Sequence, residues 1–339
     1  MARRKRGYGA IDIAKYVSAL LVVCIHTYPF YEASQTFNTY WIQTVCRLAV
    51  PFFFVASGFF FFRKITDDTL ANEEALINYE KRLGKIYLTW TIIYLPYTIW
   101  DYAHANFRIY HIFAYLRDVL LNGSYYHLWF LPALMLATYI IYLLYTNHSM
   151  KRALIVSLIL YIFGYLINVY TPIWETMPYV SFFFGFFTKV LVTSRDGIFF
   201  GPMFVAIGLL LSKTRRLPHR VSMVGWLISF ILLVLEVHIY DRMGILRDLT
   251  SMYLMLVPAT YFMVNSLLTW KLPYKESYMT LRHESLLIYT SHILFAKILL
   301  ALLPHAHLVV YFLTLAFAQA FASLVMHYHK RYPVLDNLL

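Results

Sequence analysis

Of the 339 residues, 60% are apolar and only 14% are charged, against just under half and about a quarter in soluble domains. That balance excludes a soluble globular enzyme and leaves a polytopic, all-α membrane protein. The 29 Lys and Arg against 17 Asp and Glu give a net charge of +12, which in a soluble chain would suggest nucleic acid. With 19% aromatic residues the excess points to lipid instead, and no nucleic-acid partner is expected.

The start, Met1 to Arg6 and then an apolar run, has the look of a signal peptide. Asp12 and Lys15 interrupt the run, however, and the residues after His26 offer no small-x-small cleavage site, so it reads as an uncleaved first span. Apolar runs near the roughly 20 residues that cross a bilayer predict ten spans, near 11–31, 43–62, 85–103, 127–146, 153–170, 198–212, 221–240, 250–269, 284–303 and 308–328. Between them, 171–197 reads as an interfacial or re-entrant piece. Prolines at 51, 96, 132, 202 and 258 are expected to kink their spans.

Basic residues orient the bundle. With the N-terminus inside, twenty Lys and Arg fall in cytoplasmic segments, beginning with Arg3, Arg4, Lys5 and Arg6, and six fall in outer ones. Both termini are thereby placed in the cytoplasm, in one integral-membrane domain over 1–339. Cys24 and Cys46 lie in apolar runs, so no disulfide framework and no metal site are expected.

A charge in hydrocarbon is costly and faces a cavity or a partner, so the intramembrane polar residues carry the information. At about 1.5 Å per residue, His26 lies roughly 22 Å above the inner edge of the first span and Arg47 at nearly the same depth on the second. His127, Arg195, Asp196, Glu236, Ser251 and Tyr253 gather at that outer level. Asp12, Lys15, Lys85 and Arg282 form an inner group, and His292 falls near the middle. Each has a structural alternative: a core histidine at 26 or 292, an ion pair of Arg47 with Glu32 or Asp196, an interfacial anchor at His127 and Trp129, an i, i+3 pair of Asp12 with Lys15. Two chemistries fit a histidine beside a buried cation. One is general-base activation of a hydroxyl with an arginine at the oxyanion; the other is proton-linked or carboxylate-selective transport.

Several motifs occur in order along the chain. Ile11-Asp12 and Lys15 precede His26 by ten intervening residues, and Arg47-Leu48-Ala49-Val50-Pro51-Phe52-Phe53-Phe54 leads to Ser57-Gly58-Phe59. His127-Leu128-Trp129-Phe130, Arg195-Asp196-Gly197-Ile198-Phe199-Phe200 and Ile288-Tyr289 before Ser291-His292 follow. The series resembles the acyltransferase family 3 of integral membrane proteins over nearly the whole chain. It departs where lysine at 15 replaces the usual arginine, keeping charge but losing bidentate binding, and where Ile293 replaces the proline that often follows the later histidine.

The resemblance implies a ten-helix bundle in a bacterial-type plasma membrane. Such a protein passes an acyl group, usually acetyl, from cytoplasmic acyl-CoA to a hydroxyl of an envelope glycan or lipid-linked sugar. It implies His26 as the essential histidine, Arg47 as the arginine of the second-span motif and His292 as a relay. Lys15, Lys85 and Arg282, with Asp12 among them, would meet the CoA phosphates, and His127, Trp129, Arg195, Glu236 and Tyr253 would hold the acceptor. The bilayer, acyl-CoA and the acceptor are the implied partners, with a homo-oligomer admitted. Arg195 to Phe200, and Ser251-Met252-Tyr253-Leu254 with Pro258, also resemble the membrane domain of vancomycin-resistance serine racemases, a branch associated with serine uptake. The racemase half is not expected in a chain that ends at Leu339.

Overall fold

A computed structural model describes residues 8–104, 108–247 and 250–339; the basic cluster Arg3 to Arg6 lies outside them. All regular structure among these residues is helical. The helices are α1 (Gly9–Thr27), α2 (Gln35–Gln43), α3 (Ala49–Phe62), α4 (Thr69–His104), α5 (Tyr110–Leu121), α6 (Phe130–Asn147) and α7 (Met150–Val169). They continue with α8 (Thr171–Trp174), α9 (Pro178–Leu191), α10 (Gly201–Lys213), α11 (His219–Arg242), α12 (Leu256–Thr269), α13 (Ser277–Leu302) and α14 (His307–Tyr328).

Among the described residues, seven stretches are long and apolar enough to cross a membrane, and the helices α9, α10 and α12 are apolar but shorter. Each of the ten predicted segments falls on a helix, with two differences of kind. The segment 85–103 is the later part of the 36-residue α4, whose charged first turns lower its mean hydropathy. The piece 171–197 forms α8 and the apolar α9. Among the five prolines, Pro96 alone lies inside a helix. The other four occupy the first turns of α3, α6, α10 and α12, where a missing N–H leaves no helical bond unmade. They start helices instead of bending them.

The chain divides into two compact units. The first comprises 1–53, 215–234 and 258–339, and the second 54–214 and 235–257. In the first, α1, α13 and α14 pack on one another, and α1 also touches the short 3-10 helix Cys46–Leu48. Gly9 is needed at the base of this packing, because a Cβ there would lie 2.7 Å from the Tyr278 ring. In the second unit α10 packs on α6 and α7, and α6 on α4.

Two features shape the first two predicted spans. The second is broken: α2 stops at Gln43, and the 3-10 turn Cys46–Leu48 intervenes before α3. Such mid-span 3-10 stretches often mark functional positions, and Arg47 is the middle residue of this one. The first span ends at Tyr28 in the left-handed conformation (φ 50°, ψ 54°), its N–H bonded to the Cys24 carbonyl. The His307 ring donates through Nδ1 to the Thr27 carbonyl (2.7 Å), and the His307 amide donates to Glu32 (2.9 Å). The start of α14 thereby clamps the end of α1.

Candidate functional site

In the first unit α1 and α13 start side by side, with Gly9 against Tyr278, and higher up their histidines meet. The ring centroids of His26 and His292 are 5.3 Å apart, with planes tilted by 35°. The two helices therefore run parallel, the direction expected of the first and ninth predicted spans. Counting along the sequence puts His26 in the outer half and His292 near the middle; the structure brings them to one level. The cause is the starting point, since α13 begins at Ser277, five residues before the Arg282 from which depth was counted. Measured from the Gly9–Tyr278 contact, the rings stand about 25 Å and 21 Å along their helices at 1.5 Å per residue.

His292 is fully buried. Its Nδ1 lies 2.7 Å from the Tyr289 carbonyl and 3.1 Å from that of Ile288. A carbonyl only accepts, so Nδ1 carries the proton, which in a neutral ring leaves the lone pair at Nε2. Arg47, also buried, donates from Nε to Gln43 Oε1 at 2.8 Å, which orients the guanidinium from the last residue of α2. Glu32, a sequence candidate for pairing with Arg47, holds His307.

Near the start of α1, the charges of Lys15 and Arg282 both act on the buried Asp12 carboxylate, so three of the four inner-group residues are electrostatic neighbours. Lys85 belongs to the second unit, exposed on α4. Sequence reasoning missed Gln43. It also missed a buried carboxylate, Glu284, which ends a chain of polar contacts: Tyr16 donates to Gln319 (2.8 Å), Gln319 to Ser323 (3.1 Å), and Ser323 to Glu284 (3.4 Å). Its signal was present in the sequence, for Glu284 stands eight residues before His292 and so on the same helical face.

In the second unit the five predicted acceptor residues form two clusters. His127 is buried in the turn before α6, its ring edge-on to Tyr94 at 4.8 Å. Trp129, the N-cap of α6, lies under the Arg195 guanidinium at 4.8 Å. Gly123 makes this turn possible: at φ +90°, a Cβ there would sit 2.4 Å from the Trp129 amide. Asp196 Oδ1 accepts from the amides of Ile198 (2.9 Å) and Phe199 (2.7 Å). Its Oδ2 is buried without a hydrogen-bond partner among the described residues. Burial pushes the Asp196 carboxyl up to about 7 against the opposing pull of those amides.

The second cluster surrounds Ser251 to Met255, an irregular stretch just before α12. Glu236 Oε1 accepts from the Leu254 amide (2.8 Å) and the Tyr240 hydroxyl (2.7 Å), while Oε2 accepts from the Met255 amide (2.8 Å). Asn168 accepts from the amides of Ser251 (2.9 Å) and Met252 (3.2 Å). Tyr253 is fully buried, stacked on Tyr240, and its carbonyl accepts from Tyr161 (2.8 Å). Ser251 Oγ is buried without a hydrogen-bond partner among the described residues. Phe200 joins the clusters, packing on both Trp129 and Tyr161.

Comparison with known proteins bears on this arrangement. The profile of the acyltransferase 3 family, described as an acyltransferase domain, matches residues 8–327. Two proteins of Enterococcus faecalis named amino-acid racemase are 28% and 26% identical over 79% and 85% of this chain, covering 37% and 41% of their own length. A serine/alanine racemase of Enterococcus gallinarum is 28% identical over 77% of this chain and 37% of its own. The chain thus spans roughly two fifths of the length of these curated relatives. No solved structure matches it.

Proposed function

The chain belongs to the acyltransferase 3 family, and we propose that it is an acyl-CoA-dependent O-acyltransferase of the plasma membrane. In this reading an acetyl group passes from cytoplasmic acetyl-CoA to a hydroxyl of an extracytoplasmic glycan or lipid-linked sugar. The observation that carries the reading is the His26–His292 contact, two imidazoles meeting deep between apolar helices.

His26 takes the proton of the acceptor hydroxyl, and the oxygen attacks the thioester carbonyl. Arg47, oriented by Gln43, stabilises the tetrahedral oxyanion, for which a planar fork of donors suits the developing charge. The carbon–sulfur bond breaks, the ester forms, and the thiolate leaves with the proton that His26 returns. His292, whose Nε2 carries the lone pair, shares that proton while it is held. Lys15 and Arg282 meet the CoA phosphates at the inner end, with Asp12 ordering them. In the second unit two polar clusters, Arg195, Trp129 and His127 in one and Glu236 and Tyr253 in the other, suit a polar ligand. The buried polar atoms Asp196 Oδ2 and Ser251 Oγ support a polar ligand there, since such atoms in a native protein call for a partner. The test incubates the purified protein with labelled acetyl-CoA: CoA release is expected and is lost in His26→Ala. Release that is equal in that variant overturns the mechanism.

A second reading, transport of an amino acid such as serine, is favoured by the irregular Ser251–Met255 backbone, because interrupted helices with capped amides are the usual transporter binding site. The names of the relatives, amino-acid racemase and serine/alanine racemase, share with it the amino acid as ligand class. Accumulation of labelled serine in proteoliposomes, without CoA turnover, would select this reading.

A further inference from the structure

The chain has two cysteines, 22 positions apart and each inside its own apolar run. The fold of the first unit brings them together. Cys24 lies in the last turn of α1, and Cys46 opens the 3-10 turn Cys46–Leu48. Both are buried, free thiols in one cluster with Ile42, on which Trp41 and Tyr311 pack. Their side chains stand within hydrogen-bonding reach of each other.

Most buried cysteines act as small hydrophobes in an apolar setting and are inert. The setting of Cys24 differs. Besides the Cys46 thiol, the Tyr311 hydroxyl and the Trp41 indole are within reach of its sulfur. An indole N–H only donates, and Trp41 Nε1 is buried with no oxygen or nitrogen to bond among the described residues. The thiolate is the reactive form of cysteine, and three donors facing one sulfur supply the hydrogen bonds that solvate it. The charge of Arg47 acts on Cys46 from the next position along the chain.

We propose that Cys24 and Cys46 are a redox site, closing a reversible intramolecular disulfide under hydroperoxide. The Cys24 thiolate attacks one peroxide oxygen; the O–O bond breaks, and the departing hydroxide takes up the thiol's proton as water. Cys24 is then a sulfenic acid, which condenses with a thiol. The Cys46 sulfur attacks it, the S–O bond breaks, the S–S bond forms, and a second water leaves with the Cys46 proton. Two thiols give up two electrons in all, and one peroxide is reduced to two waters. Hydroperoxide is small and uncharged, and Cys24 is within one turn of the end of α1, so its path inward is short.

The bond acts on the chemistry through the residues beside it. A disulfide holds its sulfurs about 2.05 Å apart, closer than any hydrogen-bonded pair of thiols. Closing it draws the 3-10 turn toward α1. Arg47 is the next residue on that turn, and His26 stands two residues beyond Cys24. A misplacement of about 1 Å costs roughly 10²-fold in rate, so the oxidised protein is the slow form. This loss of rate rests on the acyl-transfer reading, whereas the bond itself does not.

The test treats the purified full chain in lipid nanodiscs with hydrogen peroxide, alkylates the remaining thiols with N-ethylmaleimide in denaturant, and digests without reduction. Mass spectrometry is expected to show peptides joined through Cys24 and Cys46 within one chain, separated again by dithiothreitol. In Cys46→Ala, dimedone should trap the sulfenic acid at Cys24. Acetyl-CoA turnover should fall about 10²-fold on oxidation, recover with dithiothreitol, and resist peroxide in Cys24→Ala. The joined peptides are read on the unaltered chain, so the site is tested even if a variant fails to fold. Both thiols still alkylated after peroxide, or a bond joining two chains, overturns the site. A closed bond with turnover unchanged overturns its hold on Arg47. A closed bond in a protein that turns over no acetyl-CoA in either state supports the site and counts against acyl transfer alone.

Discussion

The two units use buried polar residues differently. In the first, side chains address side chains: His26 meets His292, Arg47 meets Gln43, and Tyr16, Gln319, Ser323 and Glu284 follow one another. In the second they are spent largely on backbone, with Glu236, Asn168 and Asp196 each taking two amides and Tyr161 giving its proton to a carbonyl. An unmade backbone bond away from water costs as much as any polar group, so an irregular segment needs such residues merely to exist. A polar residue deep in an apolar protein thus has two employments, holding other side chains and capping backbone groups.

The sharpest way to break this contrast is His26→Ala. Removal of a general base is expected to lower acetyl-CoA turnover by about 10²–10⁴-fold, with thermal unfolding in detergent scarcely moved; a large loss of stability would erase the distinction. Arg47→Lys keeps the charge and loses the fork, and turnover should fall by about 10²-fold with little change in the Michaelis constant for acetyl-CoA. Glu236→Ala is the counterpart in the second unit. It strands the Leu254 and Met255 amides, and the unfolding free energy should drop by about 3 kcal/mol, while Glu236→Gln recovers part of it through the one acceptor oxygen that remains.

Smaller still is the effect of Asp196. Its carboxyl is raised from 3.8 to about 7, so the folded protein keeps a proton that the unfolded chain has released in between. That contribution to stability is complete below pH 4 and is lost as pH rises through 7, with a slope of at most about 1.4 kcal/mol per pH unit. Asp196→Asn keeps an oxygen for the Ile198 and Phe199 amides and should flatten this part of the stability profile between pH 5 and 8. A profile equally steep in the variant would show that another group titrates there.

Much of the helix inventory was legible because hydropathy alone writes it: α1, α6, α7, α11, α13 and α14 lie where apolar runs lie. Breaks inside a run were not legible. Thr44 to Leu48 and Ser251 to Met255 are mostly apolar; the amides of the second are taken by residues distant in sequence, Glu236 and Asn168, while in the first Arg47 is bonded locally by Gln43. For the same reason His26 was readable as a buried polar residue, but its contact with His292 was not, since depth had been measured from a charge and α13 starts five residues earlier. Glu236 shows the converse: its place in the chain singled it out, while its oxygens proved to be committed to amides.

One feature of the second unit has a mechanical side. α4 runs for 36 residues, about 54 Å at 1.5 Å per residue, against some 30 Å of hydrocarbon. Its buried residues Asn72, Leu76, Ile86, Tyr87, Trp90, Tyr94 and Thr98 keep helical phase along this length, from charged first turns to the ring that abuts His127. Phase of this kind is rotational memory. One residue added among the early turns would rotate Tyr94 by about 100° away from His127, whereas four would return it nearly to register, so insertions there are felt at the far end by their number and not by their chemistry.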